Sequence, residues 1–142
     1  QLLWQTGINN YEALKKLESD TVRIKPYIKE MAHAYALSDI AVVRAGALTL
    51  SELSVCGMPS ILLPFPRATA DHQTKNAETM VRAGAAIMIQ QADLTTSNLQ
   101  ETIIGLLDDA DKLTAMGAQA LSLGKPNATK KIVDKIFKVA RG

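Results

Sequence analysis

Arg44, Gly46, Thr49 and Glu52 lie close together in Arg44-Ala45-Gly46-Ala47-Leu48-Thr49-Leu50-Ser51-Glu52, directly after the apolar run Ile40-Ala41-Val42-Val43. An apolar run that ends in small residues reads as a buried parallel strand handing the chain to a helix. At a helix start, backbone N–H groups without intrahelical acceptors and the positive end of the dipole converge, which suits a phosphate or pyrophosphate. The chemistry implied is nucleotide binding. Arg44 has two readings at the strand end: a guanidinium paired with a nearby acid, or added positive potential beside a bound anion. Gly46, in the turn, is expected to use φ > 0, which glycine adopts without strain.

Other polar groups have simpler readings from spacing alone. Thr49 and Glu52 fit a capping box, with threonine at the N-cap and glutamate three residues on. Asp71 reads as the N-cap of a second helix, and Gln73 and Asn76, three apart, share a face of its first turn. A solvated polar face is the plain account of that pair. His72 reads as a neighbour of the site and not as a base. With only His33, His72 and the single Cys56, no zinc spacing and no internal disulfide can arise. Cys56 is expected to be a small buried apolar residue. Neither GxGxxG nor GxxxxGK[ST] occurs, so the chain carries neither the dinucleotide fingerprint nor the P-loop.

The elements that must carry these residues follow from hydrophobic period and breakers. A strand is expected over 1–6, stopped by Gly7, then a helix over 10–17 with Tyr11, Leu14 and Leu17 on one side. A short strand at 22–24 ends at Pro26. Ile28, Met31, Ala32 and Tyr35 follow the spacing of an amphipathic helix, with Ile28 in its core face. Strands at 40–43, 59–64 and 85–90 alternate with helices at 49–56 and 71–82, and Gly57 closes the first of these. The run Pro59-Ser60-Ile61-Leu62-Leu63-Pro64 is continuously apolar, as in a strand buried on both faces. A loop containing Pro66 leads to Asp71. Helices at 96–107, 111–121 and 128–140 finish the chain. Strand–helix alternation with short connections implies an α/β fold, a Rossmann-like parallel sheet of five strands with helices on both faces.

Composition narrows the function classes. The chain has 142 residues, 47% apolar and 21% charged, as expected of one folded domain rather than a disordered segment. A net charge of +2 asks for no nucleic-acid partner. No apolar run reaches the ~20 residues that span a bilayer, and no leader pattern is present. The last segment sets Lys130, Lys131, Lys135, Lys138 and Arg141 around Ile132, Val133, Ile136, Phe137 and Ala140. It reads as a membrane-surface helix or, more simply, as a helix packed on protein with solvated lysines. Because the chain enters a strand at once from Gln1, its first residue is expected to be a boundary, with part of the protein missing.

Pro26-Tyr27-Ile28, Met31-Ala32-His33-Ala34-Tyr35, the segment from Arg44 to Glu52, Gly57-Met58-Pro59-Ser60-Ile61-Leu62-Leu63-Pro64-Phe65-Pro66 and Asp71-His72-Gln73-Thr74-Lys75-Asn76-Ala77 together resemble the MurG family. These bacterial transferases add N-acetylglucosamine to undecaprenyl-linked muramyl-pentapeptide in peptidoglycan synthesis. The resemblance runs the length of the chain and implies the C-terminal, UDP-GlcNAc-binding half of a GT-B glycosyltransferase, entered after its first strand, Gly-rich loop and helix. The acceptor domain, the general base and the membrane-facing patch would then lie outside residues 1–142.

The resemblance also implies roles for particular residues. Glu52 would accept hydrogen bonds from both ribose hydroxyls, for which a carboxylate has the lone pairs. Ala47, Leu48, Thr49, Leu50 and Ser51 would contact the diphosphate and sugar, with Arg44, Gly46 and Asn76 in support. Gln73 would read sugar hydroxyls. The Ile28 backbone, at a turn before its helix, would pair with uracil. No cofactor or metal is implied, and the site would work at the cytoplasmic face of the plasma membrane. A UDP-GlcNAc epimerase of the same architecture and a nucleotide-sugar-binding subunit of a split lipid-linked sugar transferase are the alternatives.

Overall fold

Strands and helices alternate from the first residues onward, as the apolar runs and breakers require. The computed structural model describes residues 1–66 and 71–141, with the side chain of Arg141 left out; positions 67–70 of the loop expected after Pro66 lie outside them. The chain divides into two units, Gln1–Ser38 and Asp39–Gly142.

In the first unit β1 (Leu2–Gln5) leads through α1 (Ile8–Leu14) and a 3-10 turn (Lys15–Leu17) to β2 (Val22–Lys25) and α2 (Met31–Ala36). β1 and β2 pair in parallel, Trp4 opposite Ile24. Ile24 is fully buried. Gly7 takes φ 73°, the turn conformation for which glycine is suited, and the helix begins at once, earlier than the expected start at 10.

The second unit continues with β3 (Ala41–Val43), α3 (Ala47–Cys56), β4 (Ser60–Leu62), α4 (His72–Arg82) and β5 (Ala86–Met88). Three helices close it: α5 (Thr96–Leu107), α6 (Ala110–Leu123) and α7 (Ala128–Arg141). Its strands lie in the order β3-β4-β5, all parallel, with Val42 opposite Ile61 and Ile61 opposite Ile87. Every residue of central β4, the polar Ser60 included, is buried, as in a strand covered on both faces. Ile61, Ile89, Leu106 and Met116 form one cluster of the core, with Leu99, Ile103 and Leu113 packed around it. Burial of a side chain such as Ile61 contributes about 1.5–3 kcal/mol.

Four further expectations change. The five strands fall into two sheets, β1-β2 and β3-β4-β5, rather than one. Among the described residues β1 pairs only with β2 and β3 only with β4, so each leaves one edge open. Ile28 precedes α2, which starts at Met31, and is half-buried; the 28-31-32-35 spacing is helical but its first member is in the connection after Pro26. Cys56 is exposed, because α3 turns Leu50, Leu53 and Ser54 to the interior and Cys56 lies off that stripe. α3 begins at Ala47, two residues before the expected start.

α3 ends where expected. Gly57 adopts φ 63° and ψ 35°, with Gly57 N–H donating to Ser54 O at 3.3 Å and Met58 N–H to Leu53 O at 2.9 Å, the paired bonds of a left-handed helix stop. α6 packs against this end so closely that a Cβ on Gly57 would stand 2.7 Å from Leu121 Cγ. α7 separates its charges from its apolar residues around the helix, and Ile132, Ile136 and Val139 are all exposed.

Candidate functional site

The C-terminal ends of adjacent parallel strands bring β3–α3, β4–α4 and the segment after β5 to one edge of the second unit. At the β3–α3 turn Gly46 occupies the N-cap of α3 with φ −70° and ψ 142°, ordinary extended backbone. The expected positive φ is therefore absent, because an N-cap needs only a β-region residue to admit the first helical turn. A Cβ at Gly46 would meet only Thr49 Oγ1, at 3.8 Å.

This placement also removes the capping box. The first intrahelical bond runs from Leu50 N–H to Gly46 O at 3.0 Å, so Thr49 lies within the first turn and Glu52 in the second. Gly46 has no side chain with which to cap, and the N–H groups of Ala47, Leu48 and Thr49 precede the first helical bond. α1, α2 and α4 share with α3 the lack of a side-chain cap bond, whereas α5 is capped by Thr95, whose oxygen accepts from Asn98 N–H at 3.1 Å, and α6 by Asp109, which accepts from Lys112 N–H at 2.9 Å. Leu48 is exposed while Leu50 is buried in the core. Ser51 Oγ donates to Ala47 O at 2.9 Å. Three donors thus start an otherwise well-terminated helix. Thr49 and Glu52, three apart, lie on one side of it, and Glu52 is exposed.

Arg44 is not paired with an acid among the described residues. Its Nη1 donates to Leu63 O at 3.0 Å, Pro64 O at 3.3 Å and Gln91 Oε1 at 2.9 Å, and its guanidinium carbon lies 5.6 Å from the centroid of the Phe65 ring.

Asp71 takes the N-cap position of α4 in left-handed backbone, φ 56°, and makes no side-chain cap bond, unlike the expected cap. From that conformation its carboxylate does not reach the first N–H groups. Gln73 Oε1 accepts from Phe65 N–H at 3.0 Å, and Asn76 Nδ2 donates to Ala45 O at 3.2 Å. The Asn76 bond ties α4 to the β3–α3 turn and the Gln73 bond ties it to the segment after β4, where Arg44 also bonds, so Arg44, Gly46, Thr49, Gln73 and Asn76 are brought to one place. The plain reading of Gln73 and Asn76 as a solvated face does not describe them: both are half-buried and bonded to backbone.

Ile28 belongs to the first unit. Its N–H donates to Gln5 Oε1 at 2.8 Å, which holds the turn before α2 against the end of β1. Sequence reasoning did not single out Gln5, Phe65 or Gln91. Their partners lie 23, 8 and 47 residues away, beyond any local periodicity.

Residues 1–135 match the glycosyltransferase family 28 C-terminal domain. The chain belongs to this family. The family 28 domain is 43% identical over 141 residues to the UDP-N-acetylglucosamine--N-acetylmuramyl-(pentapeptide) pyrophosphoryl-undecaprenol N-acetylglucosamine transferase of Salinibacter ruber, covering 98% of this chain and 38% of that protein. It is 46% identical over 120 residues to the like-named transferase of Pseudomonas putida, covering 84% of this chain and 33% of that one. The crystal structure of Acinetobacter baumannii MurG superimposes with a TM-score of 0.84 at 35% identity, over 96% of this chain and 42% of that chain. A kitacinnamycin glycosyltransferase, 20% identical with a TM-score of 0.72 over 95% of this chain and 34% of that one, shares the fold. The family 28 domain spans about two fifths of the curated relatives it matches, 38% in the Salinibacter protein. Its parallel sheets and flanking helices are those of the C-terminal half of a GT-B glycosyltransferase.

Proposed function

We propose that this domain binds UDP-GlcNAc and forms the donor half of an inverting transferase that adds GlcNAc to undecaprenyl-pyrophosphoryl-MurNAc-pentapeptide at the cytoplasmic face of the bacterial plasma membrane. The names of the relatives support donor and acceptor. The observation that carries the reading is the uncapped start of α3, whose first N–H groups suit a diphosphate. Glu52 then takes the ribose, Thr49 the diphosphate and sugar, and Gln73 the sugar, with Asn76 in support.

In this reaction a base in the rest of the protein takes the proton of the attacking acceptor hydroxyl. The new C–O bond forms at the anomeric carbon as the bond to UDP breaks, and negative charge develops on the leaving diphosphate. The N–H groups of Ala47, Leu48 and Thr49 stabilise that charge without having to reorient.

The domain organisation follows the same proposal: residues 1–142 are the C-terminal domain without its first strand, Gly-rich loop and helix. A doubly wound sheet has the strand order 3-2-1-4-5-6. If β1 here is the second strand of that order, the expected neighbours without the first are 2 with 3, and 4-5-6. The two observed sheets have these pairings, which supports the reading. The test is an assay of the full-length protein with UDP-GlcNAc. Release of UDP only with lipid-linked acceptor is expected, whereas epimer formed without acceptor would make it an isomerase, and binding without either reaction would make it a recruiting subunit.

A further inference from the structure

We propose that Arg44 and Gln91 act as a positioning pair that fixes the Gln73 amide and thereby the sugar selectivity of the donor site; this rests on the donor-site reading above. The three strands β3, β4 and β5 run side by side, so the segments leaving their C-terminal ends are neighbours. Arg44 leaves β3, Leu63, Pro64 and Phe65 leave β4, and Gln91 follows β5.

One guanidinium nitrogen joins all three. Arg44 Nη1 carries two hydrogens and has three acceptors, Gln91 Oε1 at 2.9 Å, Leu63 O at 3.0 Å and Pro64 O at 3.3 Å. The two consecutive carbonyls therefore share one hydrogen while Gln91 takes the other. With the Phe65 ring beside the same guanidinium, both the peptide direction and the side chain of this loop are held. The next contact is Phe65 N–H to Gln73 Oε1 at 3.0 Å.

The chemistry of that contact makes Gln73 one-handed. A backbone N–H only donates, so the amide atom facing it must be oxygen, and the NH2 is what Gln73 turns to a ligand. An amide free to flip would present donor or acceptor alike and would tolerate either arrangement of sugar hydroxyls. Gln91 acts at the far end of this relay: it orients Arg44, Arg44 holds the loop, and the loop presents the N–H that orients Gln73. Both Arg44 and Gln91 are exposed and outside the core, so the relay can be cut without emptying the interior.

The test compares Gln91→Ala, Gln91→Glu, Gln73→Ala and the Gln91→Ala/Gln73→Ala double variant in the full-length protein. It reads kcat/KM for UDP-GlcNAc against a UDP-N-acetylhexosamine epimeric at one hydroxyl, with UDP inhibition and melting curves alongside. Gln91→Ala is expected to lower the preference for UDP-GlcNAc by about 5-fold, the scale of coupling within one hydrogen-bonded network, and to leave inhibition by UDP unchanged. Gln91→Glu keeps an acceptor for Arg44 and restores the preference. The double variant selects no worse than Gln73→Ala, because Gln91 works through that residue. Additive losses, or a wild-type preference retained in Gln91→Ala while Gln73→Ala loses it, would overturn the positioning pair and leave the donor site standing. A wild-type protein that does not bind UDP-GlcNAc would overturn both.

Discussion

Glu52 stands in the second turn of α3, too far from the helix start to cap it. That position separates two roles that spacing alone left open. If its carboxylate holds the ribose diol, Glu52→Ala in the full-length protein should weaken UDP by about 1.5–3 kcal/mol, the scale of hydrogen bonds to a charged group. A dideoxy analogue, which lacks the diol, should lose far less. Since Glu52 lies in the second turn, the loss of UDP affinity is read apart from any change in stability by comparing the two ligands on the same variant. Calorimetric titration of both ligands, with melting curves, reads these quantities; a UDP-to-analogue affinity ratio equal to that of the wild type would remove Glu52 from the ribose.

Helix α3 has one end without a side-chain cap and the other closed by packing, and each end answers to a different glycine. Gly46 sits in backbone that any residue adopts, and a Cβ there meets only ordinary contact. Gly57 has no such latitude. Gly57→Ala would put a Cβ into left-handed backbone and against Leu121, costing about 2 kcal/mol from the conformation alone and more from the clash. Urea unfolding should show the midpoint fall, while Gly46→Ala should leave it nearly in place. In a ligand-bound protein the order should reverse, with Gly46→Ala weakening UDP more than Gly57→Ala does, because only the first lies beside the proposed anion site. Equal effects of the two on UDP affinity would mean that the α3 start is not the anion site.

The open edges of β1 and β3 belong to the whole molecule, because a parallel strand with one partner exposes backbone N–H and C=O groups on its other side. Under the proposed domain organisation, amide exchange along these two strands should be slow in the full-length protein and faster in residues 1–142 alone. Equal exchange in both would argue against a missing neighbouring strand. Transfer should likewise require the rest of the protein, since the base that activates the acceptor is proposed to lie there; GlcNAc transfer by residues 1–142, free of contaminating enzyme, would contradict this. No helix among the described residues is long and apolar enough to cross a membrane.

Local signals in the chain were strong enough to determine the strand–helix alternation, the buried central strand around Ile61 and the stop at Gly57, because each depends on the order of apolar residues and on glycine's backbone freedom. They also located the β3–α3 turn, and the motifs from Pro26 to Ala77 carried the family. Helix starts were less legible. Ala47 and Leu48 have no capping signature, so the only side-chain pattern available, Thr49 with Glu52, drew the boundary two residues late. The partners of Arg44, Gln73, Asn76 and Ile28 were decided by tertiary structure alone. Those of Arg44, Asn76 and Ile28 join segments that meet only when parallel strands align, that of Gln73 closes the β4–α4 connection on itself, and neither period nor propensity encodes which backbone group a guanidinium or amide will reach.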